Sequence, residues 1–158
     1  MDKLPDLAEE SLLRSNGYSL IAGVDEVGRG PLAGPIMAAA VILPLDDSFD
    51  WIYLVNDSKK LTEKRREHLY DEIISDAVAV GIGSVTAEGI DTYGIANAAR
   101  VAMQLAIAQL ATQPDFVLID AVKLPKVDIP QKSIIRGDGK CISIAAASIV
   151  AKVTRDHY

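Results

Sequence analysis

Residues 19–43 read SLIAGVDEVGRGPLAGPIMAAAVIL, and this stretch decides the fold class. It contains two apolar, strand-like runs, Ser19 to Asp25 and Pro35 to Leu43. The link between them, Gly28-Arg29-Gly30-Pro31, has the composition of a turn. The stretch therefore predicts a β-hairpin whose first strand runs into two acidic residues.

Outward from the hairpin, helical and strand patterns alternate. Helices are predicted over residues 6–16, from the N-cap Thr62 to about Asp76, over 95–111 and over 142–153, and further strands over 77–85, 116–120 and 133–136. A hairpin followed by β-α-β units predicts an α/β fold, with helices packed on a mixed sheet.

Composition indicates one globular domain. The chain has 158 residues, of which 49% are hydrophobic and 24% charged. No segment reaches the roughly 18 apolar residues that span a bilayer, and the acidic N-terminus does not resemble a signal peptide, so we expect a cytoplasmic protein. The single cysteine, Cys141, lies in an apolar run and is expected to be buried, while His68 and His157 are expected at the surface.

Charge is distributed unevenly along the chain. The net charge of −6 argues against a nucleic-acid partner, but basic residues cluster over 59–66 and again over 123–155. Local basic patches on an acidic protein can still hold a phosphate backbone. Charge runs are usually solvated faces, so this observation alone is weak.

Three apolar runs lead into acids, namely residues 21–26, 116–120 and 133–138. Apolar residues that lead into a carboxylate place it at the edge of the core. Several carboxylates brought together would repel one another unless a cation lay among them, and oxygen ligands suit Mg²⁺ or Mn²⁺ rather than zinc. The alternative is that these acids are ordinary helix caps and turn residues, and spacing alone leaves both readings open.

The glycines that flank Arg29 also have two readings. Glycine lets a backbone approach a ligand closely, and an arginine between two glycines offers a fork for phosphate. The bare triplet is more often simply a tight hairpin turn with a surface arginine.

Sequence motifs longer than the Gly-Arg-Gly triplet identify a protein family more specifically. The segment VDEVGRGPLAGP at residues 24–35 resembles the opening signature of the ribonuclease HII family. It is followed in family order by DSKKL at 57–61, IDA at 119–121, RGD at 136–138 and AAASIVAKVTRD at 145–156. These five motifs span residues 20–158, and the first 19 residues match nothing in the family.

The resemblance implies a ribonuclease H-like fold, a mixed five-stranded sheet flanked by helices. It implies a catalytic domain over 20–158, preceded by an N-terminal polar helix or extension over 1–19. The family's four-carboxylate metal site maps onto Asp25, Glu26, Asp120 and Asp138. The segment that recognises the ribonucleotide 2′-hydroxyl maps onto Gly28, Arg29 and Gly30, and positions near the substrate backbone map onto Ser58, Lys59, Ser148 and Lys152.

The implied activity is that of an endonuclease that hydrolyses the RNA strand of RNA–DNA hybrids and cuts at ribonucleotides embedded in DNA. Two Mn²⁺ or Mg²⁺ ions would assist phosphodiester hydrolysis and leave 5′-phosphate and 3′-hydroxyl ends. The expected partner is an RNA–DNA hybrid duplex or DNA that contains ribonucleotides. No membrane and no obligate protein partner are implied, and a cytoplasmic monomer acting in ribonucleotide excision during DNA replication and repair is expected.

The family normally continues beyond the last motif, whereas this sequence stops at Tyr158. We therefore expect a domain truncated at its C-terminus relative to the family, less stable and less active than an extended chain, with apolar surface exposed on the helix over 142–153. One alternative function is an inactive nucleic-acid-binding fragment. Another is an integrase-type DNA nuclease of the same fold, against which the Gly-Arg-Gly segment argues.

Overall fold

The computed structural model describes residues 3–28, 34–44 and 49–158. Within these ranges, strands form one mixed sheet in the spatial order β3-β2-β1-β4-β5. The strands are β1 (Ile21–Val27), β2 (Ile36–Ile42), β3 (Ala79–Val85), β4 (Phe116–Asp120) and β5 (Gln131–Ile134). Strand β2 is antiparallel to β1 and β3, whereas β4 is parallel to β1 and β5. The predicted α/β class with a mixed five-stranded sheet is confirmed.

Helices cover both faces of this sheet. The described helices are α1 (Ala8–Ser15), α2 (Glu63–Asp76), α3 (Ala87–Tyr93), α4 (Ile95–Ala108) and α5 (Ile142–Asp156). Side chains alternate between the faces of a strand, so Val24 and Ile119 pack with α4. Ala39 and Val41 point the other way and pack with α2 and α5. The sheet therefore lies between α4 on one face and α2 with α5 on the other.

Two local predictions are confirmed closely. The hairpin pairs Ala22 with Ile42 and Val27 with Met37. Thr62 caps α2, because its hydroxyl accepts a hydrogen bond of 3.2 Å from the backbone N–H of Arg65.

Two other elements differ from expectation. Helix α3 was not predicted, and β5 begins two residues earlier than expected and ends at Ile134. The side-chain amide of Gln131 holds the preceding loop in place through two hydrogen bonds. Its Oε1 accepts from the N–H of Leu124 at 2.8 Å, and its Nε2 donates to the carbonyl of Leu124 at 3.0 Å. Arg136 adopts a left-handed conformation with φ of 55°, so the chain leaves the sheet before it.

Strand β1 and helix α5 approach each other closely at Gly23. A Cβ atom at this position would lie 2.2 Å from the backbone carbon and oxygen of Ser143. Only glycine fits such a gap without moving one backbone relative to the other. The contact holds the start of α5 directly against the strand that carries Asp25 and Glu26.

The expectation that α5 would expose apolar surface is wrong for the described chain. Residues 142–151 and Val153 are all buried. The sheet covers one side of the helix, and α2 supplies Leu69 and Ile73 to the same apolar cluster. The chain's own elements thus cover a helix that is apolar on nearly every side.

The N-terminal helix α1 is joined to α5 through Glu10, a buried acid that is 2% exposed. One oxygen of its carboxylate, Oε2, accepts hydrogen bonds from the backbone N–H of Ser143 at 2.9 Å and from its hydroxyl at 2.8 Å. The Cys141 thiol donates to the same oxygen at 3.3 Å. A carboxylate at the first turn of a helix satisfies free N–H groups and interacts favourably with the helix dipole. Glu10 therefore caps α5 from a distant part of the sequence.

Candidate metal centre

Strand direction brings three acidic side chains to one edge of the sheet. Asp25 and Glu26 lie near the end of β1, and Asp120 is the last residue of β4. Because these strands are parallel neighbours, their carboxyl ends lie side by side. One carboxylate oxygen from each of the three residues lies within 4.8 Å of the other two.

Asp138 reaches the same edge from a different kind of element. It lies in the 3-10 turn Gly137–Gly139, directly after the left-handed residue Arg136. Its backbone N–H donates to Oδ1 of Asp120 at 3.4 Å, and the residue is only 9% exposed. The turn therefore brings Asp138 next to Asp120, and Asp138 lines the same cavity as the three clustered acids.

Burial and mutual repulsion raise the pKa values of these acids. Burial raises the pKa of Asp25 well above its ordinary value, and the charges of Asp120 and Glu26 raise it further. Burial also raises the pKa of Asp120, although a backbone hydrogen bond from Asp138 opposes the shift. The pKa of Asp138 is about 6, raised first by burial and then by the charges of Asp120 and Asp57.

The donor set fits a hard divalent cation. All candidate ligands are carboxylate oxygens, the type that Mg²⁺ and Mn²⁺ prefer, and neither cysteine nor histidine takes part in the described cluster. A cation among the carboxylates would relieve the repulsion that raises their pKa values. The carboxylate ligands and their mutual repulsion therefore both favour a hard divalent cation at this site.

The acids lie in an open cavity of about 390 Å³ that also contains predicted substrate contacts. Among the described residues, it is lined by Asp25, Glu26, Val27, Gly28, Ser58, Lys59, Asp120, Asp138, Ser148 and Lys152. The Ser148 hydroxyl donates to the Ser58 hydroxyl at 2.8 Å, which ties α5 to the 3-10 turn Ser58–Lys60. Lys152 lies one turn further along α5 and pairs with Asp156 at 3.0 Å. Two of the predicted contacts, Arg29 and Gly30, lie outside the described residues.

Two residues of the quoted motifs have local roles that the sequence reading did not assign. The charge and side chain of Asp57 raise the pKa of Asp138, and its carboxylate accepts a hydrogen bond of 3.0 Å from the N–H of Lys59. Arg155 donates from Nε to the carbonyl of Pro35 at 2.9 Å. A Cβ on Gly28 would lie 2.7 Å from that same nitrogen. The signal for both residues was their place in the motifs, but only the fold shows what they contact.

The residues singled out by composition lie away from this cavity. Cys141 is buried, and burial raises its pKa well above the ordinary value, as suits a core residue. His68 and His157 are exposed, and His157 lies 2.7 Å from Glu67. None of the described helices combines the length and apolar character needed to cross a bilayer.

Comparison with known proteins places these observations in a family. The family model described as Ribonuclease HII matches residues 22–158. A ribonuclease HII from Dehalococcoides mccartyi is 55% identical over 152 residues, which are 96% of this chain and 72% of that protein. A ribonuclease HII from Bacillus cereus is 56% identical over 147 residues, which are 93% of this chain and 56% of that protein.

Solved structures show the same fold. Ribonuclease H2 from Pyrococcus horikoshii OT3 superposes with a TM-score of 0.74 at 28% identity, covering 87% of this chain and 72% of that one. The ribonuclease HII of Archaeoglobus fulgidus, solved in a complex with PCNA, has a TM-score of 0.74 at 26% identity, with coverage of 87% and 73%. Bst-RNase HIII, solved with Mn²⁺, shares the fold at 22% identity and a TM-score of 0.66, with coverage of 89% and 53%.

The predicted family and the predicted enzyme class are therefore both confirmed. The match includes every motif that carried the resemblance, since all of them lie within residues 22–158. The chain belongs to the ribonuclease HII family, whose members are endoribonucleases that act on RNA–DNA hybrids.

Proposed function

We propose that this chain cleaves the RNA strand of RNA–DNA hybrids and the phosphodiester at single ribonucleotides in DNA, by hydrolysis assisted by two metal ions. The observation that carries the proposal is the meeting of Asp25, Glu26 and Asp120, whose oxygens lie within 4.8 Å of one another. Asp138 lines the same open cavity and would supply the fourth carboxylate. The products would be 5′-phosphate and 3′-hydroxyl ends.

The four acids would hold Mn²⁺ or Mg²⁺, and Asp120 lies near both the acids of β1 and the backbone of Asp138. When bound, the ions supply Lewis-acid activation of water and stabilisation of the leaving 3′-oxygen. The protein's own contribution is rigid placement. Strands β1 and β4 end at the site, and the backbone of Asp138 is tied to Asp120.

Basic and polar groups of the same cavity would hold the nucleic acid. Lys59 lies near enough to Asp138 for its charge to oppose the rise in that residue's pKa, and Lys152 lines the same cavity from α5. Both ammonium groups suit phosphates that flank the scissile bond. Ser58 and Ser148 would add hydroxyl contacts. Gly28 lines this cavity, and the segment Gly28-Arg29-Gly30 would recognise the 2′-hydroxyl that distinguishes RNA from DNA.

The test is cleavage of two labelled duplexes that differ in a single 2′-hydroxyl, one all-DNA and one with a single ribonucleotide. In Mn²⁺ we expect cleavage of the second duplex only, at one phosphodiester, with the end chemistry read by mass spectrometry. The variant Asp120→Asn should cut neither duplex, while Asp71→Asn, a substitution of an exposed acid on α2, should cut normally. Cleavage of the all-DNA duplex at a similar rate would refute the proposed specificity.

The cellular setting is proposed on the same basis. A cytoplasmic enzyme that removes ribonucleotides during DNA replication and repair would need no membrane contact. We propose that the chain acts as a monomer without a protein partner, although the Archaeoglobus fulgidus relative was solved in a complex with PCNA. Sedimentation of the purified chain and its specific activity over a range of dilutions would test this proposal.

A further inference from the structure

A second open cavity, of about 570 Å³, lies on the other face of the sheet from α5. It is bounded by helices α3 and α4 and by the loop that follows β4. We call it the basic cavity, after the cationic residues Arg100, Lys123 and Lys126, which line it together with Tyr93, Asn97 and Gln104. Neither the family motifs nor the proposed metal centre include any of these residues.

The basic cavity is electrostatically unbalanced. No acidic side chain is among the described residues that line it. Within residues 3–28, 34–44 and 49–158, Arg100, Lys123 and Lys126 form no ion pair with a carboxylate. On a chain of net charge −6, three neighbouring cations that have no acidic partner in the described part of the chain indicate a surface suited to an anion.

The basic cavity lies at the same edge of the sheet as the metal centre. Lys123 follows Asp120 by three residues, so its Cα lies within about 10 Å of that of Asp120 even if the chain is fully extended. Strand β3 runs in the same direction as β1, because both are antiparallel to β2. Helix α3 follows the end of β3, and Tyr93 is its last residue, so both walls of the basic cavity begin at this edge.

The size of a nucleic-acid duplex connects the two sites. A duplex presents one negative charge for about every 1.7 Å along its axis, so a polymer seated on the metal centre carries many phosphates beyond it. A reach of up to about 10 Å corresponds to about three successive phosphates along one strand. The exposed ends of Lys123 and Lys126 suit a diffuse row of phosphates, and the side chains of Tyr93 and Asn97 are of the types that also bind phosphate oxygens.

We propose that the basic cavity binds the phosphodiester backbone of the substrate duplex at a distance from the scissile bond, as a second anchoring surface. This inference rests on the proposed function for the identity of the polymer. Its contribution is affinity and position along the duplex. It makes no contact with the reacting phosphate, so the rate at saturating substrate should not depend on it.

The test compares the double variant Lys123→Ala/Lys126→Ala with a control double variant of equal charge, Lys3→Ala/Lys132→Ala. In the control, both lysines are paired with acids of the N-terminal region. Binding is measured by fluorescence anisotropy in EDTA, so that no duplex is cut, with a long duplex of 24 base pairs that contains one central ribonucleotide.

For the long duplex we expect the Lys123/Lys126 variant to bind about tenfold more weakly. The slope of log affinity against log salt should fall by about 2, roughly one for each lysine removed from a phosphate. The control should change affinity less than about twofold. In Mn²⁺, kcat should stay within about twofold of the wild-type value while KM rises.

Equal affinity and equal salt slope for the two double variants on the long duplex would overturn the inference, as would a fall in kcat with unchanged KM. This outcome is separable from failure of the proposed function. A chain that cuts at ribonucleotides but ignores the lysine pair overturns only the second anchor. A chain that needs the lysine pair to bind but never cuts overturns only the proposed hydrolysis.

Discussion

Replacing Asp120 by Asn should make the metal-free protein more stable than wild type and remove most of the stabilisation that Mn²⁺ gives. The substitution keeps the shape of the side chain and an oxygen to accept the N–H of Asp138, but it removes the negative charge. Asp120 has a carboxylate oxygen within 4.8 Å of oxygens of both Asp25 and Glu26. With an effective dielectric constant of about 20, each fully charged pair at that distance repels by about 3.5 kcal/mol.

Partial protonation reduces this repulsion, because the pKa values of Asp25 and Asp120 are both raised. In EDTA at pH 7 we therefore expect the Asn variant to be more stable than wild type by about 1–3 kcal/mol, less than the full Coulomb repulsion. In Mn²⁺ at about 100 times its Kd, the wild-type protein should gain about 2.7 kcal/mol, because the ion binds the folded state alone. The variant should gain much less.

The assay is urea unfolding, monitored by far-UV circular dichroism, of wild type, Asp120→Asn and the exposed-site control Asp71→Asn, each in EDTA and in Mn²⁺. The control should follow wild type in both conditions. If Asp120→Asn is less stable than wild type in EDTA, the reasoning about stored repulsion is wrong. If Mn²⁺ stabilises all three proteins equally, Asp120 is not a ligand.

Three further outcomes can be checked by the same kinds of measurement. Gly23→Ala should lower the free energy of unfolding by at least about 2 kcal/mol, because the new Cβ would meet the backbone of α5. Gly139→Ala has open space around its Cβ and should change the free energy of unfolding by less than about 0.5 kcal/mol, so equal melting temperatures for the two variants would contradict the close packing. Glu10→Ala should lower the free energy of unfolding by about 2–3 kcal/mol, because it removes the cap of α5. Glu9→Ala removes only an exposed ion pair and should lower it by less than about 1 kcal/mol, so similar losses of stability in the two variants would show that Glu10 is not a cap. In EDTA, the free energy of unfolding should fall as the pH rises from about 4 to about 7. The pKa of Asp138 is about 6 in the folded state, so the folded state keeps a proton that the unfolded state has already released, and each pKa unit of difference corresponds to about 1.4 kcal/mol. A free energy of unfolding that rises through this pH range would show that the pKa shift has the opposite sign.

The sequence by itself determined the elements whose signals are local. The alternation of apolar runs with turn residues predicted the hairpin, and the hydroxyl of Thr62 marked the start of α2, because an N-cap acts within three residues of its own position. The acids at strand ends were visible for the same reason. Asp120 closes a short apolar run that fits a buried strand, and parallel strands deliver their ends to one edge. Family motifs then assigned these acids to one candidate site.

Only the tertiary structure decided which distant residues complete that framework. Glu10 caps α5 across more than 130 positions of sequence, and no local pattern links an acid in α1 to N–H groups of another helix. The start of β5 depends on Gln131 and its pairing with Val117, which a search for apolar runs passes over. The basic cavity likewise joins Arg100 of α4 to Lys123 after β4. Contacts of this kind arise from packing between elements, and packing depends on three-dimensional distance, which sequence separation does not encode.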